Sequence, residues 1–97
     1  LISGVEYNPE FVEEGTALYV SNCVFCHGVP GVDKGGNIPN LGYSQKSVIE
    51  NLDVMVFEGP LLSSGMPHFT GKLSEMDVEK IKAFIQGTAD AIRPKTQ

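Results

Sequence analysis

Several residue types are scarce in this 97-residue sequence, and each scarcity narrows what the chain can be. There is no tryptophan, and no apolar run approaches the roughly 18 residues of a membrane-spanning helix. We therefore expect no transmembrane segment. Lys and Arg number only 7 against 12 Asp and Glu, which gives a net charge of −5. That balance argues against nucleic acid or an anionic membrane surface as a partner.

Cysteine is also scarce, and both copies fall in one short motif, Cys23-Val24-Phe25-Cys26-His27. Two cysteines at this spacing, followed directly by histidine, are typical of a c-type haem attachment site, where each thiol adds to one vinyl group of the porphyrin. His27 can then supply the proximal nitrogen ligand to the iron. The motif predicts one haem c, covalently held through Cys23 and Cys26.

Two other interpretations of the cysteine pair stay open at this point. A thioredoxin-like redox pair has the same Cys-x-x-Cys spacing, but it belongs in a βαβ unit and no strand pattern precedes Cys23. A zinc site needs four ligands, and the only histidine outside the motif is His68. The resulting Cys2His2 set would have an unusual spacing. Haem fits the sequence better than either alternative.

Helix signals predict an all-α fold of three helices joined by glycine-rich loops. Residues 1–8 are expected to form an extended lead-in to a domain that covers 9–97. The first helix is predicted over 9–24, with Asn8 as its N-cap. Gly15 lies on the apolar face of this helix, although glycine weakens a helix interior. We expect another helix to approach closely there.

The second helix is predicted over 45–57, with Ser44 as its cap. A capping-box pattern at Ser74-Glu75-Met76-Asp77 predicts the start of the last helix, which should end near Gln86 with Gly87 just beyond it. The tail 89–97 is either a further short helix or a docked extension. Charged residues of the last helix are expected on its outer side, among them Glu79, Lys80 and Lys82.

The haem iron needs a second axial ligand opposite His27, and four residues could provide it. Met55 lies in the apolar stripe of the second helix and Met76 in the first turn of the last, which favours packing or surface roles. Met66 lies in a helix-free stretch, where the backbone can bring its sulfur to the iron. His68 is the rival, and bis-histidine ligation would lower the reduction potential. We predict Met66.

These features resemble the class I cytochrome c family over about residues 9–93. In that family a first helix with glycine and an aromatic residue is followed by the haem motif, a Pro-Asn-Leu loop, a loop methionine and a last helix with an aromatic residue. The corresponding residues here are Gly15 and Tyr19, Cys23–His27, Pro39-Asn40-Leu41, Met66-Pro67 and Phe84. The resemblance implies three main helices wrapped around one covalently attached haem.

The resemblance also implies roles for single residues. The Pro39 carbonyl would accept a hydrogen bond from Nδ1 of His27, which fixes the imidazole ring and raises its basicity as a ligand. Gly15 would let the first and last helices cross tightly. We further expect Leu41 to line the apolar haem pocket, together with Val24, Leu52, Leu61 and Phe69.

Residues 66–95 show a narrower resemblance to the C-terminal haem domain of quinohaemoprotein alcohol dehydrogenases. It implies that electrons arrive from a pyrroloquinoline-quinone (PQQ) dehydrogenase and pass to a terminal oxidase or another acceptor of the respiratory chain. Haem c is attached outside the cytoplasm, which implies a periplasmic location. The chain begins at Leu1 without a start Met or a signal peptide, so we expect a processed or excised piece.

We therefore expect a monomeric one-electron carrier that is not itself an enzyme, either as a free cytochrome or as the haem domain of a larger oxidoreductase. The alternative is a haem enzyme or gas sensor with a labile sixth ligand, such as a peroxidase. Residues 15–32 and 59–71 contain no charged side chain and should flank the haem. We expect these segments either to form an apolar docking face that includes Val29, Pro30, Leu62 and Pro67, or to be buried against the haem.

Overall fold

A computed structural model describes residues 1–31, 40–57 and 72–93, and the regular elements in these ranges are helical. A 3₁₀ turn at Pro9–Phe11 leads into α1 (Val12–Asn22), and α2 (Val24–His27) follows. A second 3₁₀ turn at Leu41–Tyr43 precedes α3 (Lys46–Glu50), α4 (Leu52–Phe57) and α5 (Glu75–Ile92). The all-α prediction is confirmed for the described part of the chain.

The first helical segment begins at its predicted cap but is not one continuous α-helix. Oδ1 of Asn8 accepts a hydrogen bond from the Glu10 amide at 3.0 Å, and Pro9 takes the first position. The chain winds once as a 3₁₀ turn before α1. It then departs from helical geometry at Cys23 (φ −124°, ψ −35°) and resumes as α2. The predicted helix over 9–24 is therefore three elements.

Gly15 lies where α1 crosses α5, and the close approach predicted there is confirmed. A β-carbon at this position would overlap the main-chain carbonyl of Lys80 and press on Phe84. Four residues later the buried Tyr19 ring contacts Phe84, with ring centroids 4.9 Å apart. Glycine is required here because any side chain would separate the two helices.

The predicted helix over 45–57 is divided into α3 and α4 at Asn51 (φ −104°, ψ 26°). The prediction of Ser44 as its cap was wrong, because the turn Leu41–Tyr43 ends at Ser44 and engages the Ser44 amide. The helix starts one residue later, with Gln45 in the N-cap position and no side-chain capping bond.

The last helix starts as predicted and ends later than predicted. Ser74 Oγ accepts a hydrogen bond from the Asp77 amide, and the Asp77 carboxylate accepts one from the Ser74 amide, each at 3.0 Å. The helix then continues through Gly87 to Ile92. Gly87 does not terminate the helix, and the Val12 side chain packs closely over it: a β-carbon at position 87 would lie 3.0 Å from Cγ2 of Val12.

Lys82 was expected on the outside of the last helix, and this was wrong. Its Nζ donates a hydrogen bond to the Glu50 carbonyl at 3.0 Å and pairs with Glu79 at 3.3 Å. Since α3 ends at Glu50, its last carbonyls need partners from outside the helix, and a lysine supplies one. Glu79 is exposed as expected. Lys80 is half-buried and pairs with Glu14 at 2.6 Å.

The core lies between α5, α1 and the middle helices. The apolar face of α5 is buried, and it is made of Val78, Ile81, Phe84 and Ile85. The N-terminal segment adds Ile2 and Val5. The buried apolar cluster consists of Ile2, Val5, Tyr19, Leu41, Ile49, Leu52, Val56, Leu73, Val78, Ile81, Phe84, Ile85 and Ala89.

Candidate haem site

The segment Cys23–His27 forms a single helical turn. The His27 amide donates a hydrogen bond to the Cys23 carbonyl at 2.9 Å, and the Gly28 amide donates one to the Val24 carbonyl at 2.9 Å. Positions 23, 26 and 27 are three and four residues apart in this turn, so they lie on one side of it. Cys23 and His27 are both half-buried. This arrangement fits a porphyrin bound at two cysteine positions with an imidazole at the adjacent one.

Tyr19 fixes the end of that turn to α1. Its hydroxyl, on a fully buried side chain, donates a 2.6 Å hydrogen bond to the Gly28 carbonyl. Burial, and to a lesser extent the neighbouring Cys23, raises the pKa of Tyr19 far above its usual range. The hydroxyl therefore keeps its proton and remains a donor. Gly28 itself has φ +70°, a conformation that favours glycine.

Asn40 holds the loop after His27 against the 3₁₀ turn at Leu41–Tyr43. Its Oδ1 accepts hydrogen bonds from the Gly31 and Gly42 amides, both at 2.9 Å. Its Nδ2 donates to the Val29 carbonyl at 2.8 Å. The side chain is only 1% exposed, so these bonds replace those it would make to water.

This role of Asn40 was not predicted from the sequence. It was noted only as the middle residue of Pro39-Asn40-Leu41, and its three partners are supplied by chain that lies 2 to 11 residues away. The available signal was a short amide side chain between two glycine-containing turns, where such residues bond to backbone groups.

An apolar wall lies beside the turn. Leu41 and Leu52 are buried in the main cluster, and Cys23 and Val24 pack against that cluster. Three of the five expected pocket residues therefore lie in or against the same apolar group as the haem motif. A wall of this kind suits the porphyrin, which is itself largely apolar. The residues present thus fit the cofactor that the motif predicts.

The structure also shows how far two predicted docking-face residues and two other methionines are buried. Pro30 was expected on a docking face but is fully buried, because the chain around Gly42 packs against it; Val29 is exposed. Met55 is half-buried in α4, and Met76 is exposed, consistent with the packing and surface roles expected of them. The remaining predicted residues lie outside the described ranges: Pro39, Leu61, Leu62, Met66, Pro67, His68 and Phe69.

The described residues hold no metal cluster and no membrane-spanning helix, but they form a surface cleft. Within residues 1–31, 40–57 and 72–93, no three His, Cys, Asp or Glu side chains are grouped so as to hold a metal ion. The helices in those ranges include none with both the length and the hydropathy to cross a bilayer. A surface cleft of about 430 Å³ is lined by Val5, Glu6, Lys46, Glu50, Glu79 and Lys82, none of them in the haem motif.

Comparison with known proteins places this site in a family. The model of "Cytochrome C oxidase, cbb3-type, subunit III" matches residues 10–85. Over 95 residues the chain is 70% identical to "1-butanol dehydrogenase (cytochrome c)" of Thauera butanivorans and 72% identical to "Quinohemoprotein alcohol dehydrogenase" of Comamonas testosteroni. Each match covers 98% of this chain, but 14% and 13% of the respective relative.

The same likeness holds in three dimensions. The crystal structure of the quinohaemoprotein alcohol dehydrogenase from Comamonas testosteroni matches with a TM-score of 0.94 at 71% identity, covering 97% of this chain and 14% of that one. The cytochrome c fold and both predicted resemblances are thereby confirmed. A domain of this kind carries covalently attached haem c, which replaces the zinc and dithiol interpretations, and its work is electron transfer. The chain belongs to the cytochrome c family described by the matching model, and it corresponds to the cytochrome c domain of quinohaemoprotein alcohol dehydrogenases.

Proposed function

We propose that this domain is a one-electron carrier whose haem is attached through Cys23 and Cys26 and whose iron is ligated by His27 and Met66. The proposal covers residues 9–97 as the cytochrome domain, with 1–8 as an extended lead-in. The observation that carries it is the helical turn Cys23–His27, which has the spacing of a haem attachment site and is bonded to α1 at its end.

In this proposal, some residues of the chain hold the haem iron and others exclude water from the porphyrin. The bound haem supplies the one-electron exchange between ferric and ferrous iron. His27 would hold the iron, and the Pro39 carbonyl would accept a hydrogen bond from Nδ1 of His27 and so orient the ring. Leu41 and Leu52 keep water from the porphyrin, which favours the reduced state because it carries less charge.

The partners are proposed from the relatives. Two proteins with 70% and 72% identity are named as alcohol dehydrogenases, one of them a quinohaemoprotein, and the chain spans 14% or less of their length. We propose a PQQ-dependent alcohol dehydrogenase unit as the electron donor and a terminal oxidase or another respiratory acceptor as the recipient. The proposed location is the periplasm, and the proposed state is a monomer.

One experiment tests the ligand set and separates the carrier from a haem enzyme or gas sensor. In the haem-loaded protein, Met66→Ala should lower the reduction potential by about 100 mV or more, within the range that axial ligands span. The reduced variant should also bind carbon monoxide, because its sixth position is open. Met76→Ala is the matched control, since Met76 is exposed, and should change neither property.

Each contrary result has a clear meaning. If Met66→Ala retains its potential and excludes carbon monoxide, Met66 is not the ligand, and the same measurements on His68→Ala test the rival. If the reduced wild-type protein binds carbon monoxide readily, its sixth ligand is labile and the enzyme or sensor function is favoured over the carrier.

A further inference from the structure

The N-terminal segment is bonded to α5 through one buried glutamine. Gln86 is 1% exposed, and its Oε1 accepts a hydrogen bond from the Val5 amide at 3.2 Å. Its Nε2 donates to the Ile2 carbonyl at 3.1 Å and to Oδ1 of Asp90 at 2.8 Å. A single side chain thus offers the extended segment both an acceptor and a donor, as a neighbouring strand would.

The last turn of α5 strengthens this contact. Arg93 also donates a hydrogen bond to the Ile2 carbonyl, and it pairs with Asp90 at 2.6 Å. The Tyr7 hydroxyl donates to Oδ2 of Asp90 at 3.4 Å. Because two donors converge on one carbonyl and a carboxylate holds both donors in place, the Ile2 carbonyl is fixed relative to the helix.

On its other side the segment bonds to the loop that bears Asn40. The Ile2 amide donates a hydrogen bond to the Gly42 carbonyl at 2.8 Å. The Gly42 amide donates to Asn40, which also bonds Val29 and Gly31 as described above. A continuous series of hydrogen bonds therefore runs from α5 to the loop that directly follows the haem motif.

Side-chain packing also connects the loop after the haem motif to α5 and to the N-terminal segment. Gly31 has φ +83°, and a β-carbon at this position would overlap the Ile92 side chain and contact that of Leu1. The loop thus meets both the end of α5 and the start of the N-terminal segment. Its position depends on these two elements as well as on Asn40.

We propose that residues 2–5 act as a latch and that Gln86 is a positioning residue for the proximal side of the haem. Through Ile2, Gly42 and Asn40, Gln86 fixes the loop after His27 and thereby the orientation of the turn. Loss of its amide leaves the buried Val5 amide without a partner and weakens the hold on the Ile2 carbonyl. The consequence at the haem rests on the proposed ligation by His27; the bonding path does not.

The test compares two variants of the haem-loaded protein. Gln86→Met replaces the amide with an apolar side chain of similar length. Ser74→Ala, the control, removes the capping box at the opposite end of α5 and leaves the latch intact. Amide hydrogen exchange, the reduction potential and the haem absorption spectrum are measured for each.

In Gln86→Met we expect the Gly31 and Gly42 amides to exchange roughly tenfold faster relative to amides of α1. We also expect the reduction potential to shift beyond any change in Ser74→Ala. In Ser74→Ala, amide exchange can rise across the protein, but the Gly31 and Gly42 amides should exchange no faster relative to amides of α1 than in the wild type. If Gln86→Met does not fold, Arg93→Gln is used instead, because it removes one of the two donors to the Ile2 carbonyl. It should accelerate exchange at Gly31 and Gly42 and shift the reduction potential in the same way, by smaller amounts.

Two results would overturn the proposal. The path is wrong if Gly31 and Gly42 exchange no faster in Gln86→Met than in the control. The role at the haem is wrong if exchange accelerates while the potential and the spectrum stay at wild-type values. Failure of the proposed ligation is distinguishable, because it appears in the wild-type spectrum and in Met66→Ala and leaves the exchange result unaffected.

Discussion

The Tyr19 hydroxyl lies 2.6 Å from the Gly28 carbonyl, to which it donates a hydrogen bond. Tyr19 belongs to α1, and Gly28 ends the turn that bears His27 and the two cysteines of the haem motif. The Tyr19 ring also packs on Phe84 of α5. The position of the turn therefore depends on the crossing of α1 and α5, although neither helix supplies an iron ligand in the proposed set.

Removing this hydroxyl should weaken the folded state. Tyr19→Phe retains the ring contact with Phe84 but leaves the Gly28 carbonyl without its donor, which should cost about 1–2 kcal/mol. Guanidinium unfolding of the haem-loaded protein measures the loss. Tyr43→Phe is the control, because its exposed hydroxyl makes a 3.3 Å bond to Gly31 and should contribute less than about 0.5 kcal/mol. Equal losses in the two variants would contradict the role given to Tyr19.

The same tyrosine should make the protein sensitive to alkali. Burial raises the pKa of Tyr19, so the folded state keeps the proton that the unfolded chain loses above about pH 10. The stabilisation is complete below that pH and is lost as the pH rises, by about 1.4 kcal/mol per pH unit for one tyrosine.

Unfolding measurements between about pH 9 and 11.5 test this. Tyr19→Phe should show a shallower decline of the unfolding free energy with pH than the wild type. Tyr7, whose pKa is raised by burial and by Asp90, adds to the decline in both proteins. Identical slopes for Tyr19→Phe and the wild type would refute the assignment.

The helix crossing should tolerate no methyl group at its centre. Gly15→Ala forces a β-carbon into the Lys80 carbonyl, so α1 and α5 must separate, at a cost of about 2–4 kcal/mol. Gly87→Ala is the matched control, because the nearest atoms to the new methyl group belong to the side chains of Val12 and Tyr7 and not to the backbone. Its effect on the unfolding free energy should stay within about 1 kcal/mol. A mild effect of Gly15→Ala would show that the helices can readjust.

Two lysines near Glu50 should differ in their contribution to stability. Lys82→Met removes the buried donor to the Glu50 carbonyl and should cost about 1–2 kcal/mol. Lys46→Met removes an exposed pair with the Glu50 carboxylate at 3.8 Å and should change stability by less than about 0.5 kcal/mol. Thermal unfolding of both variants under the same salt conditions makes the comparison. A larger loss from Lys46→Met would overturn the capping role of Lys82.

Features set by neighbouring residues were predicted well from the sequence. The haem motif, the caps at Asn8 and Ser74, and the glycine at position 15 each depend on chemistry within a few residues or on one strong steric signal. The errors had a different origin. The end of the last helix and the location of Lys82 depend on partners that the local sequence does not identify. The error at Ser44 is local, because the adjacent 3₁₀ turn engages its amide.

The sequence by itself determined the cofactor, its attachment motif and the helical class, because covalent haem attachment needs a fixed spacing of two thiols and an imidazole, and because helix caps act locally. Only the tertiary structure decided how the motif is held. Tyr19 and Gly28 lie 9 residues apart, Lys82 and Glu50 lie 32 apart, and Gln86 and Ile2 lie 84 apart. Such bonds form only when packing brings distant segments together, and no local pattern of residue types specifies them.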